Sequence, residues 1–69
     1  MDAKKTRLEE LMLTKRAWNA LIYANLRTVD DLLRLSAGDL MRLHGIGEKS
    51  LRNIIERLSA HGMELARHD

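Results

Sequence analysis

Residues 44–51 read HGIGEKSL, and this short stretch decides how the chain folds. Two of the four glycines of the protein flank a single isoleucine here, directly before the clearest helical pattern in the sequence. Glycine readily adopts the positive φ that ends a helix, and Ile46 supplies an apolar side chain for the core. The stretch therefore predicts a hairpin between a short helix that ends near Leu43 and a long helix that begins near Glu48.

The long helix is indicated by apolar residues at helical spacing. The positions i, i+3, i+4 and i+7 are occupied by Leu51, Ile54, Ile55 and Leu58. This spacing is typical of an amphipathic helix with one buried face. Gly62 is expected to end the helix, with Met63 and Leu65 packing back on the core.

Shorter helices are predicted upstream. Thr14 is a suitable N-cap for the first of them, and its apolar stripe consists of Leu13, Ala17, Leu21 and Ala24. The segments that begin at Thr28 and Ser36 each resemble a capping box with Asp in the place of Glu, so each opens a helix of about two turns. We expect the first stripe to pack on the stripe of the long helix, so that truncating Leu51 or Ile55 to alanine costs about 2–5 kcal/mol.

The predicted fold is all-α. It is a compact bundle of four to five short helices with a Gly-Ile-Gly helix-hairpin-helix element, and a further weak turn or helix passes through Leu8 and Leu11. Residues 1–7 are expected to form a flexible N-terminal segment, residues 8–66 a single helical domain, and residues 67–69 a C-terminal tail.

Composition narrows the classes of function. The chain has 69 residues, of which 45% are hydrophobic and 32% charged, as expected for one small folded domain. It has no cysteine, which excludes disulfides and thiolate metal sites. The three histidines (His44, His61 and His68) are scattered, so neither a metal site nor a cofactor is expected. So short a chain has little room for a substrate pocket, so we expect no catalysis and no small-molecule substrate.

Targeting signals are also lacking in the sequence. No long apolar run follows the first five residues, so neither a signal peptide nor a membrane span is predicted. The expected location is the cytoplasm. The net charge of +2 does not by itself indicate a nucleic-acid partner, because a basic face and scattered surface lysines give the same sum.

The second glycine of the opening stretch, Gly47, indicates an anion-binding site. Gly47 stands where a helix would normally be capped by a side-chain oxygen. A glycine there lets another molecule approach the free N–H groups and the positive dipole end of the helix. Lys49 adds a cation and Ser50 a hydroxyl, so a phosphate is the natural occupant.

A wider resemblance supports this interpretation. The stretches LEELMLTKRAWNAL (8–21), NLRTVDDLL (25–33) and GIGEKSLRNI (45–54) resemble the C-terminal domain of the bacterial RNA polymerase α subunit, without gaps from about Leu8 to Leu65. The resemblance implies a bacterial, nucleoid-associated domain that contacts the minor groove of A/T-rich upstream promoter DNA. It also implies contacts with RNA polymerase, σ factor or transcription activators.

The resemblance also assigns the DNA-contacting roles of the family to individual residues of this sequence. The resemblance assigns the groove-reading arginine and asparagine to Arg16 and Asn19, and the backbone-binding residues to Gly47, Lys49 and Ser50. Neighbouring candidates for DNA contact are Ala20, Arg52 and Asn53. The physical chemistry agrees for Arg16 and Asn19. They are three residues apart on one helix face, arginine is attracted to a narrow A/T-rich groove, and asparagine can bond to its acceptors.

The sequence also departs from the family pattern. Ala20 stands where the family usually has cysteine, Asn53 where it has glutamate, and Met12 where an acidic residue commonly contacts σ or an activator. Glu9 and Glu10 remain as candidates for protein contact. These departures leave open whether the chain is part of an α subunit or a free-standing relative of the domain.

Two alternatives stay open from the sequence. One is a generic helix-hairpin-helix module of repair or replication, which binds phosphates without sequence preference. The other is a protein-interaction domain that docks a transcription regulator without binding DNA, using Glu9, Glu10, Asp30 and Asp31.

Overall fold

The computed structural model describes residues 6–67, and within them the predicted all-α fold is confirmed. The elements are a 3₁₀ helix and four α-helices: Leu8–Leu11, α1 Lys15–Tyr23, α2 Val29–Leu33, α3 Ala37–Met41 and α4 Glu48–Ala60. The only extended pairing in these residues is an isolated bridge between Arg7 and Thr28. Most of the predicted flexible segment 1–7, most of the predicted tail 67–69, and His68 lie outside the described residues.

The starts of the first three helices confirm the predicted caps, which are Thr14, Thr28 and Ser36. At the start of α2 the cap is a capping box: the Asp31 N–H donates to the Thr28 hydroxyl at 3.0 Å, and the Thr28 N–H donates back to the Asp31 carboxylate at 3.3 Å. The capping box of α3 repeats this arrangement with Ser36 and Asp39. Each box satisfies N–H groups that have no partner within the helix, which lets helices of only five residues form.

The hydrogen bonds at the start of α2 also lower the pKa of the Asp31 carboxyl. The Arg27 N–H donates to the Asp31 carboxylate at 3.2 Å, beside the bond from Thr28. This bond from the Arg27 backbone, with those from Thr28 and the nearby charge of Arg34, lowers the pKa of Asp31 below its ordinary value of 3.8. The folded state therefore keeps this carboxylate ionised to a lower pH than the unfolded chain does.

The ends of α1 and α4 share one geometry. Each is followed by a residue in the left-handed region, Asn25 with φ 69° and Gly62 with φ 75°. After α4 the Met63 N–H donates to the Leu58 carbonyl at 2.9 Å, and after α1 the equivalent bond is 3.0 Å long. Both are Schellman motifs. The stop at Gly62 was predicted, whereas the sequence pattern did not identify Asn25.

The core lies between α4 on one side and α1 and α3 on the other. The largest fully buried side chains are Leu8, Leu11, Leu21, Val29, Leu32, Leu40, Ile54 and Leu58. Leucines and Trp18 that are partly buried pack around them. Within residues 6–67 no helix is long and apolar enough to cross a membrane.

The prediction that Ile55 faces the core is wrong. Ile55 is 43% exposed and Leu51 is half-buried, whereas Ile54 is fully buried. The buried row of α4 runs at i, i+4 and i+8 through Ser50, Ile54 and Leu58. Because successive residues of an α-helix are rotated by about 100°, Ile55 lies at the edge of the face that α1 and α3 cover.

Candidate nucleic-acid interface

Two elements that are far apart in sequence meet at one cleft. We call it the basic cleft: its volume is about 600 Å³, and it is lined by Lys15, Arg16, Asn19, Ala20, Tyr23, His44 and Gly45. Arg16 and Asn19 lie together on α1, as predicted, and the buried Ala20 lines the same cleft. The lining contributes two cations and no carboxylate. An anionic partner therefore fits its charge.

The backbone favours glycine at one of the two hairpin positions but not at the other. Gly45 has φ +90°, a conformation that strongly favours glycine, and a Cβ built on it would lie 3.3 Å from the Ala20 Cβ, a tight approach to α1. Gly47 has an extended backbone, and a Cβ there would meet no atom within 4 Å. The fold itself therefore does not require glycine at position 47. Between them Ile46 is buried, as predicted.

The start of α4 is open. Gly47 is its N-cap and provides no side-chain bond, and the first bond within the helix runs from the Leu51 N–H to the Gly47 carbonyl at 2.9 Å. The N–H groups of the three preceding helical positions thus have no partner inside the helix, and the positive end of the dipole favours an anion there. Lys49 is exposed beside them.

Two further residues of this helix start limit the site. Ser50 is only 5% exposed because it belongs to the buried row, so its hydroxyl is less accessible than a surface serine would be. Glu48 is exposed in the first turn. Its carboxylate interacts well with the helix dipole but repels a phosphate, a feature that the sequence reasoning did not consider.

Asn53 is engaged inside the protein. The amide oxygen of its side chain accepts a hydrogen bond from the Thr14 N–H at 2.9 Å, across 39 positions of sequence. Nearby, the Arg57 Nε donates to the Leu11 carbonyl at 2.6 Å. These two bonds hold α4 against the segment that runs from the end of the 3₁₀ helix to the start of α1. Asn53 thus positions the helix that carries Arg16.

Arg52 lies apart from the basic cleft. It is exposed on α4 and lines a separate groove with Leu51 and Ile55. The structure therefore brings Arg16, Asn19 and Ala20 together with the hairpin, but it does not bring Arg52 into the same cleft.

The predicted protein-contact residues lie on the 3₁₀ helix. Glu9 is exposed and pairs with the Arg7 guanidinium at 3.6 Å. The Glu10 carboxylate accepts a bond from the Arg7 N–H at 3.4 Å. Met12, which follows this helix, has φ 59° and is 74% exposed, an unusual backbone and exposure for methionine. The acidic pair and Met12 lie on an exposed segment that does not line the basic cleft.

Four residues that line the basic cleft were not predicted as site residues: Lys15, Tyr23, His44 and Gly45, of which Gly45 was assigned only to the hairpin. Tyr23 follows Arg16 by seven residues, a helical spacing that places both on one face, so it could have been found. His44 could not have been found this way, because only the packing of the hairpin on α1 brings it there. Among the described residues, no group of three or more His, Asp or Glu side chains is placed to hold a metal ion.

The helical bundle and its basic cleft define a small, all-α class of domain with a surface suited to an anionic partner. Sequence comparison identifies the family. Residues 1–60 match the family model for the C-terminal domain of the bacterial RNA polymerase alpha subunit. The protein therefore belongs to this family.

Curated relatives agree. The DNA-directed RNA polymerase subunit alpha of Desulforudis audaxviator (strain MP104C) is 36% identical over 62 residues, covering 90% of this chain and 19% of the relative. The subunit alpha of Moorella thermoacetica is 40% identical over 58 residues, covering 84% and 18%. That of Ostreococcus tauri is 43% identical over 58 residues, covering 84% and 16%. The chain thus spans less than a fifth of the length of these relatives.

Proposed function

We propose that this domain binds A/T-rich upstream promoter DNA through the minor groove and the phosphate backbone, as part of the transcription machinery. The observation that carries the proposal is the basic cleft, in which Arg16 and Asn19 of α1 stand beside the hairpin that leads to the open start of α4. Such a surface offers both a groove-reading side chain and a phosphate site.

Arg16 and Asn19 are the proposed groove readers. A narrow A/T-rich minor groove concentrates negative potential, so it attracts the Arg16 guanidinium. The Asn19 amide donates to the acceptors on the groove edge of A·T pairs, whereas the amino group of guanine obstructs the groove floor at G·C pairs. Ala20, in the same cleft, leaves room for this approach.

Gly47 and Lys49 are the proposed phosphate contacts. The missing side chain at Gly47 allows a phosphate to approach the free N–H groups at the start of α4, and Lys49 adds charge. Ser50 contributes its backbone N–H to the same site. These contacts set position and affinity but carry no sequence information.

A single domain with so few phosphate contacts binds weakly. We expect the slope of log K against log salt concentration to be about −3 to −5. Useful occupancy then depends on tethering to a larger assembly or on a neighbouring activator, which raises the effective concentration. In this proposal the domain works by binding and has no catalytic role, and RNA polymerase, σ factor or an activator docks at Glu9 and Glu10.

The test compares Arg16→Ala with Lys49→Ala on A/T-rich and G/C-rich duplexes, by fluorescence anisotropy at two salt concentrations. Arg16→Ala should weaken A/T-rich binding by about 1–3 kcal/mol and leave the weaker G/C-rich binding nearly unchanged. Lys49→Ala should weaken both duplexes by similar factors and make the salt slope shallower by about one. Arg42→Ala removes an exposed arginine that does not line the cleft, and it serves as the control for charge.

Each alternative gives a different outcome. Equal weakening of both duplexes by Arg16→Ala would indicate a generic helix-hairpin-helix phosphate clamp. No change in either variant, or no DNA binding by the wild-type protein in an NMR titration, would favour a protein-interaction domain instead.

A further inference from the structure

Tyr23 is exposed in a way that folding does not explain. It is 78% exposed, and it does not belong to the apolar cluster that the described residues form. Its ring lies 6.0 Å from the His44 ring, centroid to centroid, with the planes tilted by 48°. This distance and tilt lie within the range of favourable aromatic pairs, and such a pair is expected to limit the rotation of both side chains. The pair is therefore a preorganised surface feature.

The pair occupies one end of the basic cleft. Both residues line it together with Arg16, and Tyr23 lies two helical turns from Arg16 on the same face of α1. Seven residues of α-helix span about 10 Å. The minor groove is only about 6 Å wide, so a side chain that far from an inserted arginine meets the wall of the groove, which is sugar and phosphate.

Resting on the function proposed above, we propose that Tyr23 and His44 form a second phosphate-contacting element, separate from the one at the start of α4. The Tyr23 hydroxyl and a ring N–H of His44 donate hydrogen bonds to phosphate oxygens of one DNA strand. The lining of the cleft is cationic and has no carboxylate, which fits a phosphate rather than a positively charged ligand. The ring contact keeps the two donors together, so that both reach the same stretch of backbone.

Loss of the Tyr23 and His44 donors should change DNA binding differently from loss of Arg16 or Lys49. A phosphate contact carries no sequence information, so loss of Tyr23 should weaken A/T-rich and G/C-rich binding by the same factor. A tyrosine hydroxyl is uncharged and displaces no counterion, so the salt slope should stay unchanged. Because the two rings form a pair with centroids 6.0 Å apart, the effects of the two substitutions should not be additive in a double-mutant cycle.

The experiment measures the affinity of the 69-residue protein for both duplexes by anisotropy, using Tyr23→Phe, His44→Ala and the double variant. Tyr23→Phe keeps the ring and removes only the hydroxyl, and we expect about two- to tenfold weaker binding to both duplexes at an unchanged salt slope. His44→Ala should have less effect in the Tyr23→Phe background than in the wild type. Controls are Ile22→Ala, next to Tyr23 but off the cleft, and His61→Ala, an exposed histidine at the far end of α4.

The outcomes separate this inference from the function on which it rests. If Tyr23→Phe and His44→Ala bind like the controls while Arg16→Ala loses A/T-rich affinity, the second phosphate contact is refuted and the proposed function stands. A loss confined to the A/T-rich duplex would also refute it, because that would be groove reading. If the wild-type protein binds neither duplex, the proposed function and this inference both fail. Amide NMR spectra of each variant identify any loss of folding.

Discussion

The starts of α1 and α4 are built in opposite ways, although the two helices pack on each other. The start of α1 is closed: Thr14 caps it with its side chain, and Asn53 holds the Thr14 N–H from α4. The start of α4 is open, because Gly47 caps it without a side chain. The closed start contributes to stability and fixes the position of α1 against α4, whereas the open start has backbone N–H groups without partners inside the helix. Substitutions in the packing and at the helix starts put this contrast to the test.

The largest expected effect comes from loosening the packing that aligns the two helices. Ile54→Ala removes a fully buried side chain from α4 and should cost about 2–5 kcal/mol of stability, a large part of what so small a domain has. Ile55→Ala is the matched control, one position along the same helix and 43% exposed, and it should cost less than about 1 kcal/mol. Chemical denaturation of both variants measures the difference. Equal losses would mean that α4 is rotated from the orientation described.

Substitutions of the two N-caps should give the next largest effect on stability, a loss at the start of α1 and no loss at the start of α4. Thr14→Ala should cost about 0.5–2 kcal/mol of stability, because it removes the hydroxyl that caps α1. Gly47→Ser should leave stability unchanged or raise it by a few tenths of a kcal/mol, because serine is a good cap and the site has room. Its hydroxyl would occupy the same N–H groups as a phosphate, so DNA binding should weaken.

Thermal denaturation and duplex titration of these two variants provide the measurements. A Gly47→Ser variant that is stable and binds DNA as tightly as the wild type would show that the open start of α4 holds no phosphate.

A smaller effect is expected from the acidic residue at the open start. Glu48→Gln removes a carboxylate beside the proposed phosphate site, and DNA affinity should rise by about 0.3–1 kcal/mol. Stability should fall by a similar amount, because the same carboxylate interacts favourably with the helix dipole. Glu56→Gln, more than two turns along α4, should change neither quantity measurably. An affinity that falls in Glu48→Gln would contradict the site at this helix start.

The smallest effect concerns a closed start, that of α2, and it depends on pH. The pKa of Asp31 is lowered in the folded state below 3.8, mainly by the bond from the Arg27 N–H. The stabilisation is therefore fully present above that ordinary value and is lost as pH falls through the lowered pKa. Asp31→Asn should make stability less sensitive to acid in this range. Denaturation midpoints of wild type and variant that fall in parallel below pH 3.8 would contradict this origin.

Much of the fold was predicted because its signals are local. The caps at Thr14, Thr28 and Ser36, the stop at Gly62 and the hairpin around Ile46 each depend on hydrogen bonds or backbone angles within a few residues. Asn25 was missed for a related reason: asparagine adopts the left-handed region less regularly than glycine, so it is a weaker signal.

The site was predicted only in part. The spacing of Arg16 and Asn19 places them together on one helix face, and the resemblance to a family assigned them a role. The contribution of Tyr23 and His44 to the same cleft depends on how the hairpin packs on Ala20. That Arg52 lies in another groove depends on the rotation of α4 about its axis.

The helices, their starts, the stop at Gly62 and the family follow from the sequence alone, because hydrogen bonds over three to six positions and a periodic apolar stripe depend only on residues that are close together in the chain. Tertiary packing was needed to select which neighbour is buried, Ile54 rather than Ile55, and to bring Asn53 to Thr14 across the bundle. A helical stripe defines a buried face only to within about one residue, about 100° of rotation. Contacts with the other helices select the final angle of α4, and the packing of the hairpin on α1 forms the basic cleft.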